Sequence, residues 1–247
     1  MTIVLAAVAA LGVTLSPPQP VADLDAGKLK GDLVRLAWAE DGSQFYIQTV
    51  ERDRSGTIKA MHHYLVASGS KSPKDVDQEP AWASKYWTWK SGQTSPAAAS
   101  FRIDVSERTE TKRSVAAPTG GAMAKGGTVD PTAGTSLGDV ASAADTTQSV
   151  KVYSLKVKGQ TIGEWANEPV VPGLNWSWAP APLQMIAFAK RDGGPLAVID
   201  PAGQKQELAG ATAAILPAWS SDGKRMAWLE RKDRKKYQLV VADVAVQ

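Results

Sequence analysis

A tryptophan-centred pattern recurs along this chain. Repetition restricts the fold more than any single motif, because a unit too small to bury its own apolar face must stack on its copies. Leu36-Ala37-Trp38-Ala39-Glu40-Asp41-Gly42, Trp176-Ser177-Trp178-Ala179-Pro180 and Pro217-Ala218-Trp219-Ser220-Ser221-Asp222-Gly223 align, each with a small residue on both sides of a Trp. A large apolar residue returns seven places later, at Phe45, Met185 and Met226. A fourth copy, Pro80-Ala81-Trp82-Ala83-Ser84-Lys85-Tyr86-Trp87-Thr88-Trp89, lacks the Asp-Gly. Trp38 and Trp82 stand 44 residues apart, and Trp178 and Trp219 stand 41 apart. That spacing matches the ~40–45 residues of a four-stranded propeller blade. The 96 residues from Trp82 to Trp178 hold one period and an excess.

Local chemistry favours strands. Asp41-Gly42 and Asp222-Gly223 are tight-turn dipeptides, since Gly accepts positive φ and Asp tolerates it. Apolar runs follow each turn, and second runs at Met61–Val66, Leu196–Ile199 and Tyr237–Val241 complete hairpins. Tyr153, Leu155 and Val157 alternate with polar Ser154, Lys156 and Lys158, the period of a half-buried strand. Lys158-Gly159-Gln160 and Ala202-Gly203-Gln204 then turn into a last, more polar strand. The expected fold is all-β and propeller-like, with about four four-stranded antiparallel blades.

Pro217 to Lys224 resembles the blade-opening motif of the WD-like repeat in TolB-type periplasmic propeller proteins, and Leu196 to Gly203 is similar to that repeat's closing strand and turn. The similarity spans a little over half the chain, strongest over 218–243, and the same repeat occurs in the propellers of prolyl-oligopeptidase-like enzymes. The resemblance implies a propeller and an envelope role. A TolB-type protein also carries a separate α/β domain and six blades, for which this chain has no room. The last unit stops after Val240-Val241-Ala242-Asp243 without an outer strand, and Lys28 to Leu33 is the expected donor of one. Without it, the ring stays open and its edge invites self-association.

Two segments fall outside the repeat. Ile3 to Leu15 is a run of thirteen apolar or small residues ended by Ser16-Pro17-Pro18-Gln19-Pro20. It matches the apolar core of a secretory signal and is shorter than the ~20 residues of a membrane span. Residues 1–20 are read as signal peptide-like and 26–247 as the propeller-like domain, placing the protein in the periplasm or outside the cell. A buried strand of the mature fold is the alternative reading of the same run. Residues 114–148 are rich in Ala, Gly, Thr, Ser and Pro and poor in large apolar side chains, which leads us to expect a disordered insertion in the second unit.

Chemistry-bearing motifs are sparse. Cysteine is absent, which removes disulfides, thiolate metal sites and a Cys nucleophile. Gly134-Thr135-Ser136-Leu137-Gly138 has the spelling of a nucleophile elbow, but no apolar strand precedes it and no His follows it. His62 and His63 are adjacent on a strand-like run, so they face opposite sides and do not share a metal. Asp41 and Asp222 are read as turn residues rather than a carboxylate pair. Arg231 to Lys236 is a charged hairpin loop, with an acidic partner or a phosphate as the sharper reading. Asn175-Trp176-Ser177 spells a glycosylation site and is taken as chance overlap with the repeat. Among the nine Trp residues, Trp38, Trp82, Trp178 and Trp219 are assigned to packing between blades.

No catalytic, cofactor or metal residue is assigned. A net charge of +3, from 28 Lys+Arg against 25 Asp+Glu, gives no reason to invoke nucleic acid. The leading expectation is a non-enzymatic exported scaffold resembling TolB, which binds another envelope protein through hairpins such as 52–57 and 232–236. The alternatives are a glycan or small-molecule binder using Trp87 or Trp176 as an aromatic platform, and an accessory propeller related to prolyl-oligopeptidase-like enzymes.

Overall fold

The computed structural model describes residues 12–67, 69–70, 72–90, 101–112, 146–157, 159–166, 175–180, 183 and 185–246. They form four antiparallel sheets and one helix. The first sheet runs β3 (Asp32–Trp38), β4 (Gln44–Arg52), β5 (Ile58–Ala67) and β6 (Lys74–Val76), in chain order. Helix α1 (Ala81–Lys90) follows. The second sheet holds β7 (Phe101–Lys112), β8 (Thr146–Val157) and β9 (Gln160–Ala166). The third holds β10 (Trp176–Trp178), β11 (Ile186–Phe188), β12 (Ala197–Ile199) and β13 (Lys205–Glu207). The fourth is built from β14 (Ala214–Trp219), β15 (Arg225–Asp233) and β16 (Lys236–Val246).

The outer position of the fourth sheet is filled from the chain's start. β1 (Val13–Leu15) pairs with Val244–Val246, and β2 (Gln19–Asp25) pairs with residues 236–241 of the same β16. The two are one run interrupted at 16–18, so this sheet also has four positions. This corrects the expectation that Lys28 to Leu33 supplies the strand and removes the open edge at β16. The reason lies in patterning. Ala22 and Leu24 point inward while Asp23 stays exposed, as an outer strand requires. Residues 28–31 instead cross toward the first sheet, and a Cβ on Gly31 (φ 80°) would stand 2.4 Å from the Val50 carbonyl oxygen. Val13 and Leu15 lie within the leader-like run, and Val13 is buried beneath the sheet.

Three cores lie between neighbouring sheets, and each contains one repeat tryptophan. Trp38 sits with Phe45, Ile215 and Leu229 between the first and fourth sheets. Trp219 sits with Met226, Val198 and Ala187 between the fourth and third. Trp178 sits with Leu155, Val157 and Ile199 between the third and second. The sheets therefore adjoin in the order first, fourth, third, second, consistent with an open propeller-like fold. Strands covered on both faces need no polar alternation, and β4 and β15 are buried over Phe45–Val50 and Met226–Glu230. The seven-place spacing also has a structural basis: Trp38 and Phe45, and Trp219 and Met226, are cross-strand partners at the first turn of their sheets.

The fourth repeat copy departs from expectation, because Ala81–Lys90 is helix and not strand. Pro80 suits a helix start, since its fixed φ is helical and its missing N–H is not needed there. Its carbonyl accepts from Ala83 N (2.9 Å). Trp82, Ala83 and Tyr86 then fall on one helical face, with Ala83 and Tyr86 buried and Trp82 half-buried. In chain order α1 stands where the other units have their first strand, so the second sheet keeps three strands. The equivalence of the units survives in their turns: Gly69, Gly159 and Gly203 all have positive φ between third and fourth positions. Thr146–Gln148, expected within the insertion, begin β8, and residues 113–145 with the Gly134–Gly138 motif lie outside the described residues.

Candidate binding face

The first strands converge on α1. The helix packs against β3 and β10. The buried Tyr86 hydroxyl donates to the Trp219 carbonyl at the end of β14 (2.6 Å). Trp82 stands edge-on to Tyr46 of β4, with ring centroids 6.4 Å apart. Arg35 of β3 and Glu79, just before the helix, form an ion pair (3.5 Å) that ties the approach to the first sheet. Burial raises the Tyr86 hydroxyl well above its ordinary pKa. Burial does the same to Tyr46, reinforced by the nearby Glu79 carboxylate. Both hydroxyls stay protonated at neutral pH, and Tyr46 Oη also accepts from Gln48 Nε2 (3.2 Å).

Beside the helix lies a slot of about 190 Å³ lined by Trp38, Glu40, Trp82, Lys85, Tyr86 and Ser221. Its walls come from three parts of the chain and are stiff. The Asp41 carboxylate accepts from Ser43 N (2.9 Å) and Ser43 Oγ (2.7 Å). Asp222 accepts from Ser220 Oγ (2.6 Å) and Lys224 N (3.0 Å). These hydrogen bonds hold both carboxyls below the usual carboxylate range. The two turns touch, since Ser221 Oγ donates to the Glu40 carbonyl (3.3 Å). The Arg225 guanidinium lies over the Trp38 ring at 5.0 Å and joins the fourth sheet to the first. The slot is apolar at its base, with one acidic and one basic side chain at its mouth.

The residues weighed from sequence distribute as follows. His63 Nδ1 meets Tyr46 Oη (2.6 Å) and His62 Nε2 faces Glu51 (3.2 Å), so the histidines have separate partners. Trp176 and Trp228 are core residues, and the Trp228 indole donates to Glu230 (2.8 Å), which removes Trp176 from any aromatic platform. The side chains of Trp87 and Trp89 lie outside the described residues. Asn175 and Ser177 are buried, and Ser177 Oγ accepts from Trp219 N (3.2 Å), so the glycosylation spelling is structural. The hairpins at 52–58 and 233–236 occupy equivalent places between second and third strands. Asp53 Oδ1 braces the former, accepting from Ser55 N (2.9 Å) and Thr57 N (3.0 Å). Trp82 and Tyr86 were visible only as a defective repeat. Their four-residue spacing after a proline is the signal for a helix.

Among the described residues no group of three or more His, Asp and Glu is placed to hold a metal ion. Nor is any helix of the described residues long and apolar enough to cross a membrane. No protein-family model matches the chain, and no curated protein matches it.

Proposed function

We propose that this chain is a non-enzymatic, propeller-like scaffold of the TolB type that binds another protein in the cell envelope. The observation that carries this reading is the seating of α1 against the first strands of three sheets. A helix in that position covers the first strands it packs against, and binding falls to the surface beside it. The Trp38–Trp82–Tyr86 slot suits one apolar or aromatic side chain of a partner segment, with Glu40 and Lys85 selecting for flanking charge. Stiff turns around it keep the ordering cost of association low.

The test places a photo-crosslinking residue at exposed Lys85 in cells and compares it with one at Lys59, on the outer first sheet. A discrete adduct at 85, absent at 59 and lost with Trp82→Asp, supports the scaffold. Equal labelling at both positions, or an adduct that survives Trp82→Asp, refutes it. The slot also supports a second reading, a single sugar ring stacked on Trp82. Glycan-array binding lost with Trp82→Ala, together with no protein adduct, would favour that alternative.

A further inference from the structure

A large cleft among the described residues lies away from the helix, at the perimeter between the fourth and first sheets. It encloses about 690 Å³, within the range of small-ligand sites. One wall is β2 and the β15–β16 hairpin, and the other is β5 with the approach to β6. The strap at 26–31 joins the walls. Ala26 N donates to the Lys235 carbonyl (2.8 Å) on one side. On the other, Lys30 N donates to Tyr64 Oη (3.2 Å), and Thr49 Oγ1 donates to the Lys30 carbonyl. The cleft is thus a braced site and not a gap between loose loops.

Its lining has two parts. Leu24, Leu29, Tyr64, Pro73 and Tyr237 supply apolar and aromatic surface. Lys28 and Lys30 approach from the strap, and Lys232 and Lys236 from the hairpin. None of these four ammonium groups forms an ion pair within 4.0 Å with any described carboxylate. Of the three acids present, Asp23 accepts from Gln238 Nε2 (3.0 Å) and Asp25 from Gly27 N (3.0 Å), leaving Asp75 as the third. The lining thus carries four ammonium groups against three carboxylates, with no ion pair among them within 4.0 Å to neutralise the excess. Lysines bind phosphate as compact point charges, without the bidentate geometry that arginine imposes.

We propose that this cleft binds a phosphate monoester with an apolar or aromatic body, the body lying on Tyr64, Tyr237 and Leu29 and the phosphate facing Lys28, Lys30, Lys232 and Lys236. The site is independent of the protein-binding face, and either can fail alone.

The test is calorimetric titration of the full chain with four probes: 1-naphthyl phosphate, octyl phosphate below its micelle concentration, 1-naphthol and inorganic phosphate. At least one organic phosphate is expected to bind ten-fold or more tighter than both naphthol and inorganic phosphate, and to weaken as salt rises. Preference for the naphthyl ester marks a soluble aryl ligand, and preference for the octyl ester marks a lipid-like one. Lys28→Glu with Lys236→Glu, both exposed positions, should leave the melting curve unchanged and lower that affinity at least ten-fold. Tyr237→Ala should weaken the organic phosphates while inorganic phosphate is unaffected. Naphthol binding as tightly as the esters, inorganic phosphate doing so, or affinity unchanged in the Lys28→Glu/Lys236→Glu chain would each overturn the proposal.

Discussion

Replacing Tyr86 by Phe isolates the contact that seats α1. The ring stays, so packing is conserved, and only the hydroxyl that donates to the Trp219 carbonyl is removed. Tyr86 is 7 % exposed, so water does not readily replace the lost donor. A neutral buried hydrogen bond with its acceptor left behind is worth about 1–2 kcal/mol. For a chain of this size each kcal/mol moves Tm by about 2–4 °C, so a drop of roughly 2–8 °C is expected in calorimetry. Tyr86→Ala also removes the ring and should cost about 3–5 kcal/mol. Lys85→Ala, on the exposed side of the same helix, should stay within about 0.5 kcal/mol. If Tyr86→Phe melts within 1 °C of the parent, or Lys85→Ala destabilises as much as Tyr86→Ala, the helix does not sit where the argument needs it.

Other expectations follow from the same geometry. Tyr46 and Tyr86 have folded-state pKa values raised above their ordinary 10.0. The stability they contribute is therefore complete below that pH and is lost as pH rises beyond it; alkaline unfolding monitored by far-ultraviolet circular dichroism should show a shallower loss in Tyr86→Phe. Gly31→Ala should be far more damaging than Gly56→Ala, although both have positive φ. The new Cβ meets the Val50 carbonyl in one case and nothing within 4 Å in the other, so urea midpoints should separate a backbone cost of about 1–2 kcal/mol from that cost plus a clash. Val13→Asp places a charge at a position 1 % exposed and should cost about 3–5 kcal/mol. An unchanged melting curve for protein recovered from cells would show that the leader-like run had been removed and that β1 is no part of the mature fold.

Much of the architecture was legible because the repeat is a packing code. Small residues flank Trp38, Trp178 and Trp219, since each indole fills the space between two sheets and a large neighbour would collide there. For Trp38 and Trp219 the cross-strand partner recurs seven places on because the tight turn fixes the register, whereas Trp178 pairs one place later, with Ile186. Two features broke the code for physical reasons. Pro80 and the Trp82–Tyr86 spacing produce a helix, but a tryptophan between alanines reads the same way in either conformation. The strand that completes the fourth sheet comes from the far end of the chain, and no local pattern in Gln19–Asp25 states which edge it will meet. Proximity in sequence favoured Lys28 to Leu33, whereas Gly31 has to pass too close to β4 for that stretch to be a free strand.

The site residues were less legible because their roles depend on contact between units. Trp38 is equivalent to Trp219 in its own sheet, yet among the described residues Trp38 alone carries an arginine over its ring, while α1 reaches Trp219 through its backbone carbonyl. The same holds for the perimeter cleft. Lys232 and Lys236 belong to a charged hairpin that by itself reads as a solvated turn. Lys28 and Lys30 belong to a linker. The shared cleft arises from closing the fourth sheet with residues 13–25, because that closure brings the linker back across the hairpin. It follows that weakening β2 pairing should impair the cleft before it impairs the slot. Ala22→Pro puts a second proline into the edge strand β2, at a residue paired with Leu239, and is expected to loosen that pairing. At temperatures where this variant remains folded, phosphate-ester affinity should fall while crosslinking at Lys85 persists. Parallel loss of both would mean that the two sites share one cooperative unit and that the perimeter has no independent role.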